Sequence, residues 1–181
     1  ERLGGLDVLI NNAGGSPFVL AADASPRFSA AIIELNLIAP LNLSQAANER
    51  MQEQESGGVI VNVASVSATR PSPGTAAYGA AKAGLLNLTR TLAVEWAPKV
   101  RVNAVTAGPI LTEKAHLHYG DEEGIAKVAS SIPMGRLGTP LDVAKACLYL
   151  ASPMADFVTG AALEVHGGDE LPAYLRALRD S

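Results

Sequence analysis

Short apolar runs that end in turn residues alternate with longer helical segments along this chain. Residues 7–14 (Asp-Val-Leu-Ile-Asn-Asn-Ala-Gly) are typical of a parallel strand covered on both faces, because the apolar positions are consecutive and not alternating. Similar runs at 59–64, 100–105 and 161–165 predict three more strands.

Helical periodicity fills the intervals between these strands and the end of the chain. Helices are predicted at 26–54, 75–97, 140–150 and 172–179. Pro40 should kink or interrupt the first helix, and Pro98 should end the second. Residues 110–133 have weak periodicity and polar interruptions, which favours a lid or short helices.

The alternation of strand and helix predicts an α/β fold with a doubly wound parallel sheet, Rossmann-like in layout. The chain has 181 residues, and we expect a single domain over 1–181. Few residues precede the first predicted strand, so a sheet that began there would have one bare edge.

Composition and charge argue against two classes of partner, nucleic acids and membranes. The formal net charge is −4 and no basic cluster is present, which argues against a nucleic-acid partner. No apolar run is long enough to cross a bilayer and no signal-peptide pattern opens the chain, so no membrane partner is predicted. Cys147 is the only cysteine, so no internal disulfide can form, and a cytoplasmic location is expected.

Tyr78 and Lys82 are four residues apart in the predicted helix 75–97, so their side chains share one face. A free tyrosine has a pKa near 10, about 4 kcal/mol from serving as a base at neutral pH. A nearby ammonium favours the phenolate, which would suit proton transfer at a carbonyl or carbinol oxygen. Taken alone, the spacing is far more typical of a surface pair or a partly solvated helix face.

Polar and turn-forming residues follow three successive strands at the same edge of the predicted sheet. Asn11–Gly14 ends the first strand, Ser65 follows the second, and Gly108–Thr112 follows the third. Ligands of open parallel sheets bind at the carboxyl ends of the strands. Together with the Tyr78–Lys82 pair, these residues predict a site at this rim.

The motifs resemble the main single-domain branch of the short-chain dehydrogenase/reductase family over the whole chain. They are Asn-Asn-Ala-Gly at 11–14, Asn36 in Leu-Asn-Leu-Ile-Ala-Pro, Ser65, Tyr-Gly-Ala-Ala-Lys at 78–82, Val-Asn-Ala-Val-Thr-Ala-Gly-Pro-Ile-Leu-Thr at 102–112, and Val-His-Gly-Gly at 165–168. The resemblance implies an oxidoreductase that interconverts a secondary alcohol and a carbonyl with NAD or NADP.

Residue by residue, the resemblance implies a catalytic set of four. Tyr78 would be the general acid/base, and Ser65 would hold the substrate oxygen. Lys82 would lower the Tyr78 pKa and hold the nicotinamide ribose, and Asn36 would support a water that links Lys82 to solvent.

The resemblance also implies contacts with the cofactor and with other copies of the chain. Asn12 would lie against the cofactor, and Ile110 and Thr112 would meet the nicotinamide amide, beside Tyr78 and Lys82. Family members commonly assemble through the helix at 75–97 and the one before it, so a homo-dimer or homo-tetramer is expected.

The family's glycine-rich turn, which grips the cofactor's pyrophosphate, does not occur in these residues. In family terms the chain holds only the later strands and helices, and the substrate and the choice between NAD and NADP stay open. A non-catalytic fragment or scaffold that cannot hold cofactor is therefore an alternative. An epimerase or dehydratase of the wider superfamily is another.

The polar residues of the 110–133 segment raise the question of a metal. His116, His118, Asp121 and Glu122 lie close in sequence, but without a second pair of ligands they favour a solvated loop. No metal site is predicted, and the two histidines are candidates for lining the substrate pocket.

Overall fold

Four parallel strands form one sheet in the computed structural model, which describes residues 4–170 and 172. In chain order, which is also their order in the sheet, they are β1 (Val8–Asn11), β2 (Gly58–Ser65), β3 (Val100–Ala107) and β4 (Ala162–Val165). Each strand pairs in parallel with the one before it. The predicted parallel, Rossmann-like α/β fold is confirmed.

Helices separate the strands close to the predicted boundaries. They are α1 (Pro26–Ile33), α2 (Ala39–Glu53), α3 (Ala76–Trp96), α4 (His116–Tyr119), α5 (Glu122–Ser131) and α6 (Pro140–Ala151). The first strand is shorter than predicted, since residues 12–14 already belong to a loop. The helix predicted at 172–179 falls, apart from residue 172, outside the described residues.

The interruption expected at Pro40 occurs just before it, where Glu34–Ile38 is π-helical. Proline has no N–H, and its ring crowds the carbonyl four residues earlier, here that of Asn36. The preceding turn therefore widens, and the N–H of Ala39 donates to the carbonyl of Glu34, five residues back. Asn36 lies within this widened turn and is completely buried.

The core has one layer on each face of the sheet. Ile60 of β2 packs with Met51 of α2 and Leu92 of α3 on one face. The neighbouring Val61 packs with Cys147 and Leu150 of α6 on the other face. Successive side chains of a strand point to opposite faces, so both faces of β2 are covered and its apolar residues are consecutive.

Arg101 of β3 joins the sheet to α6 at the amino-terminal end of the strand. Its guanidinium donates to the carbonyls of Leu150 at 3.0 Å and Val158 at 3.1 Å, which ties the end of α6 to the sheet. This contact lies at the amino-terminal end of β3 and leaves the carboxyl ends of the strands open. In the part of the chain described here, no helix has the length and apolar character needed to cross a bilayer.

Candidate active site

A polar cavity of about 450 Å³ lies at the carboxyl ends of β1, β2 and β3. Six of the seven residues singled out from the sequence line it. They are Asn12, Ser65, Tyr78, Lys82, Ile110 and Thr112. The seventh, Asn36, lies behind the wall of the cavity, against the loop that follows β1.

Ser65 is the last residue of β2 and the cap of a 3-10 turn, Val66–Ala68. Its hydroxyl oxygen accepts a hydrogen bond from the N–H of Ser67 at 3.2 Å. That bond uses an acceptor position and leaves the O–H proton free to donate. The strand end thus fixes a hydroxyl donor at the floor of the cavity.

Tyr78 and Lys82 lie on one face of α3, as predicted from their spacing. The Lys82 Nζ is 5.7 Å from the centroid of the Tyr78 ring, and it donates to the carbonyl of Val63 at 2.7 Å. Only 3% of Lys82 is exposed. Burial lowers the pKa of Lys82 to about 8, because the charged form loses its hydration.

The pKa of Tyr78 is shifted in the opposite direction from the one the Lys82 ammonium was expected to cause. Burial raises the pKa of Tyr78 above its ordinary value, and the nearby Ser65 hydroxyl lowers it in part. The phenol is therefore protonated at neutral pH. A protonated phenol can donate its proton to a substrate oxygen. To accept a proton, Tyr78 must first be a phenolate, and added positive charge at the site would favour that form.

Asn36 holds the loop after β1 through both sides of its amide. Its nitrogen donates to the carbonyls of Gly15 and Ile32, each at 2.9 Å, and its oxygen accepts from the N–H of Gly15 at 2.9 Å. A Cβ at Gly14 would lie 2.6 Å from the Asn36 Oδ1 and 3.2 Å from the Lys82 Nζ. The resemblance gave Asn36 a role toward a water, and the structure shows its side chain positioning the 14–15 loop.

We expect Asn36→Ala to destabilise the protein by roughly 1–3 kcal/mol, because the partly buried N–H and carbonyl of Gly15 lose their partner. Urea unfolding at neutral pH measures this loss. Asn48→Ala is the matched control and should change stability little, because the half-buried Asn48 of α2 makes only an exposed contact with Gln52. Equal unfolding midpoints for the two variants would contradict the role given to Asn36.

Three ionisable residues of the cavity wall were not singled out from the sequence. Arg70 follows β2, Tyr119 ends α4, and Glu170 follows β4. His118 also lines the cavity, which supports part of the suggestion made for the histidines, whereas His116 is not among the lining residues. Within residues 4–170 and 172, no group of three or more His, Cys, Asp or Glu side chains could hold a metal.

An apolar groove of about 760 Å³ adjoins the polar cavity between the sheet and α6. The two share Asn12, Ile110 and Thr112, while Val143 and Cys147 belong to the groove alone. The flat ring and amide of a nicotinamide need an apolar surface beside polar partners. The residues present therefore fit the nicotinamide end of a dinucleotide.

Comparison with known proteins identifies the family. A family model described as "Enoyl-(Acyl carrier protein) reductase" matches residues 1–169. A probable 2,4-dienoyl-CoA reductase of Bacillus subtilis is 40% identical over 177 residues, which cover 96% of this chain and 70% of the relative. The chain belongs to the short-chain dehydrogenase/reductase family.

Solved structures agree with membership of the short-chain dehydrogenase/reductase family. The ligand-free aldohexose dehydrogenase of Thermoplasma acidophilum is 34% identical, with a TM-score of 0.87 over 92% of this chain and 69% of that one. The protein ElxO, solved with NADP bound, is 35% identical, with a TM-score of 0.85 over 92% and 68%. The chain spans about two thirds of the length of the curated relatives it matches.

Proposed function

We propose that this protein is an NAD(P)-dependent oxidoreductase that interconverts a secondary alcohol and a carbonyl by hydride transfer. The observation that carries the proposal is the meeting of Ser65, Tyr78 and Lys82 in one cavity at the strand ends. The family assignment supports it, since the related proteins are named reductases and dehydrogenases.

NAD or NADP is the proposed cofactor, and when bound it supplies or accepts the hydride. Its nicotinamide end would be held by Asn12, Ile110 and Thr112, where the polar cavity meets the apolar groove. Lys82 and Tyr78 would hold the ribose hydroxyls. The loop held by Asn36 brings Gly14 against Lys82 and fixes that side of the site.

The chain's own residues would move the proton. Ser65 donates a hydrogen bond to the substrate oxygen and stabilises the charge that develops on it. Tyr78 donates its proton to that oxygen in reduction and accepts one in oxidation. The Lys82 ammonium, 5.7 Å from the phenol ring, stabilises the phenolate left behind.

A fluorescence titration of the purified protein with NADH and with NADPH tests the proposal first, followed by turnover of a broad panel of ketones and secondary alcohols. Saturable binding of either dinucleotide and consumption of it with some carbonyl substrate are expected. No binding and no turnover would favour the alternative of a non-catalytic scaffold.

We also propose that the protein is a cytoplasmic homo-dimer or homo-tetramer that acts on small molecules. Exposed apolar side chains on the two expected contact helices support assembly, with Leu43 of α2 55% exposed and Val94 of α3 82% exposed. Light scattering at micromolar concentration should give a multiple of the chain mass. A monomeric mass would rule out this assembly.

A further inference from the structure

One wall of the polar cavity is a chain of hydroxyl groups between β2 and α3. The Ser72 hydroxyl donates to that of Ser67 at 3.1 Å and lies 2.5 Å from the hydroxyl of Thr75. The Thr75 hydroxyl is also 3.3 Å from the carbonyl of Ser72. All three residues line the cavity. A hydroxyl has one donor and two acceptor positions, so this wall keeps unused hydrogen-bonding capacity.

An ion-pair cluster forms a second part of the wall. Arg70, from the loop after β2, contacts Asp169 at 3.1 Å and Glu170 at 2.9 Å, both from the segment after β4. Arg70 and Glu170 line the cavity. Each bond uses one guanidinium N–H and one carboxylate oxygen, so further donors and acceptors of both residues remain available. The cluster therefore presents donors and acceptors side by side.

Tyr119 adds a neutral hydroxyl near this cluster. Burial raises the pKa of Tyr119 above its ordinary value, Tyr78 and Glu170 raise it further, and the backbone of Ile110 and the charge of Arg70 lower it in part. The phenol stays protonated at neutral pH and can both donate and accept. Tyr78 at the reacting end and both Arg70 and Glu170 of the ion pair are close enough to influence the Tyr119 pKa, and all of them line the cavity.

The charges of this wall disfavour an anionic substrate. Two carboxylates surround one guanidinium, so a substrate carboxylate or phosphate would have to displace Asp169 or Glu170 from Arg70. Lys82 is the other lysine or arginine among the described residues that line the cavity, and it already donates to the Val63 carbonyl. An apolar substrate is also disfavoured, because it would cover hydroxyls and charges without replacing their bonds to water.

We propose that the substrate is a neutral polyhydroxylated compound, a sugar or a polyol. Its reacting oxygen lies at Ser65 and Tyr78, and its neighbouring hydroxyls donate to Glu170 and to the Ser72 hydroxyl oxygen and accept from Arg70. In the oxidative direction, the hydride of the carbinol carbon would go to the oxidised nicotinamide, and the hydroxyl proton would go to the phenolate form of Tyr78. The inference rests on the proposed oxidoreductase function and specifies its substrate class.

Steady-state kinetics with three matched substrate classes test this inference. Neutral aldoses and polyols, their carboxylate counterparts, and apolar secondary alcohols and ketones are compared with both NAD(H) and NADP(H). The neutral polyhydroxylated class should have kcat/KM at least about tenfold above the other two. Equal or better turnover of an anionic or apolar class overturns the inference and leaves the oxidoreductase function standing. No turnover with any class overturns both.

The ion pair can be tested by changing its charge without changing its shape. In Asp169→Asn/Glu170→Gln, we expect kcat/KM for the neutral class to fall about 10- to 100-fold, mainly through KM, because hydrogen bonds to charged acceptors are lost. The freed Arg70 should raise the relative kcat/KM of the carboxylate class. Glu170→Gln alone should shift both values in the same direction with less effect on folding.

Glu53→Gln is the matched control, since Glu53 pairs with Arg50 at 3.0 Å on the exposed side of α2, away from the cavity. It should leave the ratio between the neutral and the anionic class unchanged. The same ratio in the Glu170 variants as in the wild-type protein overturns the role given to the ion pair.

Discussion

Tyr78→Phe should lower kcat by roughly 10²- to 10⁴-fold, because the general acid/base is removed while the ring stays in place. The phenylalanine ring can keep the packing of the half-buried tyrosine, so the folded structure and the nicotinamide surface should be preserved. Dissociation constants for NADH and NADPH should change by only a few-fold. Steady-state turnover and fluorescence titration of the same preparation measure both quantities.

Tyr149→Phe is the matched control for this experiment. Tyr149 lies on α6, is 38% exposed, and does not line the polar cavity. Its loss of a hydroxyl should leave kcat within about twofold of the wild-type value, as is usual for surface substitutions. Turnover by Tyr78→Phe at the same level as the control would remove Tyr78 from the mechanism and, with it, the central step of the proposed reaction.

Lys82→Met should abolish most activity and at the same time stabilise the fold. Lys82 is 3% exposed, and its pKa falls from 10.5 to about 8 on burial, a cost of roughly 3 kcal/mol for holding the charge in the folded state. The charged hydrogen bond to Val63 offsets part of that cost. We therefore expect a gain of about 1–2 kcal/mol in unfolding free energy at pH 7.

The gain should depend on pH in a defined direction. Below pH 8 both the folded and the unfolded states of the wild-type protein carry the Lys82 proton, and the full cost is present. Between about 8 and 10.5 only the unfolded state binds that proton, so the wild-type protein gains stability as the pH rises. The advantage of Lys82→Met should shrink over this interval.

Urea unfolding at several pH values, without added cofactor, measures the difference between the two proteins. Lys99→Met is the control, because Lys99 also donates to a backbone carbonyl, that of Gln54 at 2.6 Å, but from an exposed position. Its stability difference from the wild-type protein should not show the same pH dependence. A Lys82→Met variant that is less stable than the wild-type protein at pH 7 would contradict the burial argument.

The sheet and the reacting end of the cavity could be predicted from the sequence because they depend on short-range patterns. Consecutive apolar residues in 59–64 are enough to indicate a strand covered on both faces. A spacing of four places Tyr78 and Lys82 on one helical face. Ser65 could be placed at the site because the carboxyl ends of parallel strands meet at one edge of the sheet.

The features that were missed depend on contacts between distant segments. Pro40 predicted an interruption of the first helix. Periodicity does not distinguish an α-helical from a π-helical turn, so the π-helical form of Glu34–Ile38 was missed. The hydrogen bond between Asn36 and Gly15 could not be predicted, because it depends on how the loop after β1 folds back. Arg70 and Glu170 are 100 residues apart, and no local pattern shows that they meet.

The strands of this sheet lie in the order in which the chain presents them, and each pairs with its predecessor. The sheet can therefore grow by adding one strand at a time as the polypeptide emerges during synthesis. Ser65, Tyr78 and Lys82 can assemble once β3 has paired. The partners of Arg70 follow β4, so the wall that would select the substrate is completed after the reacting end of the pocket.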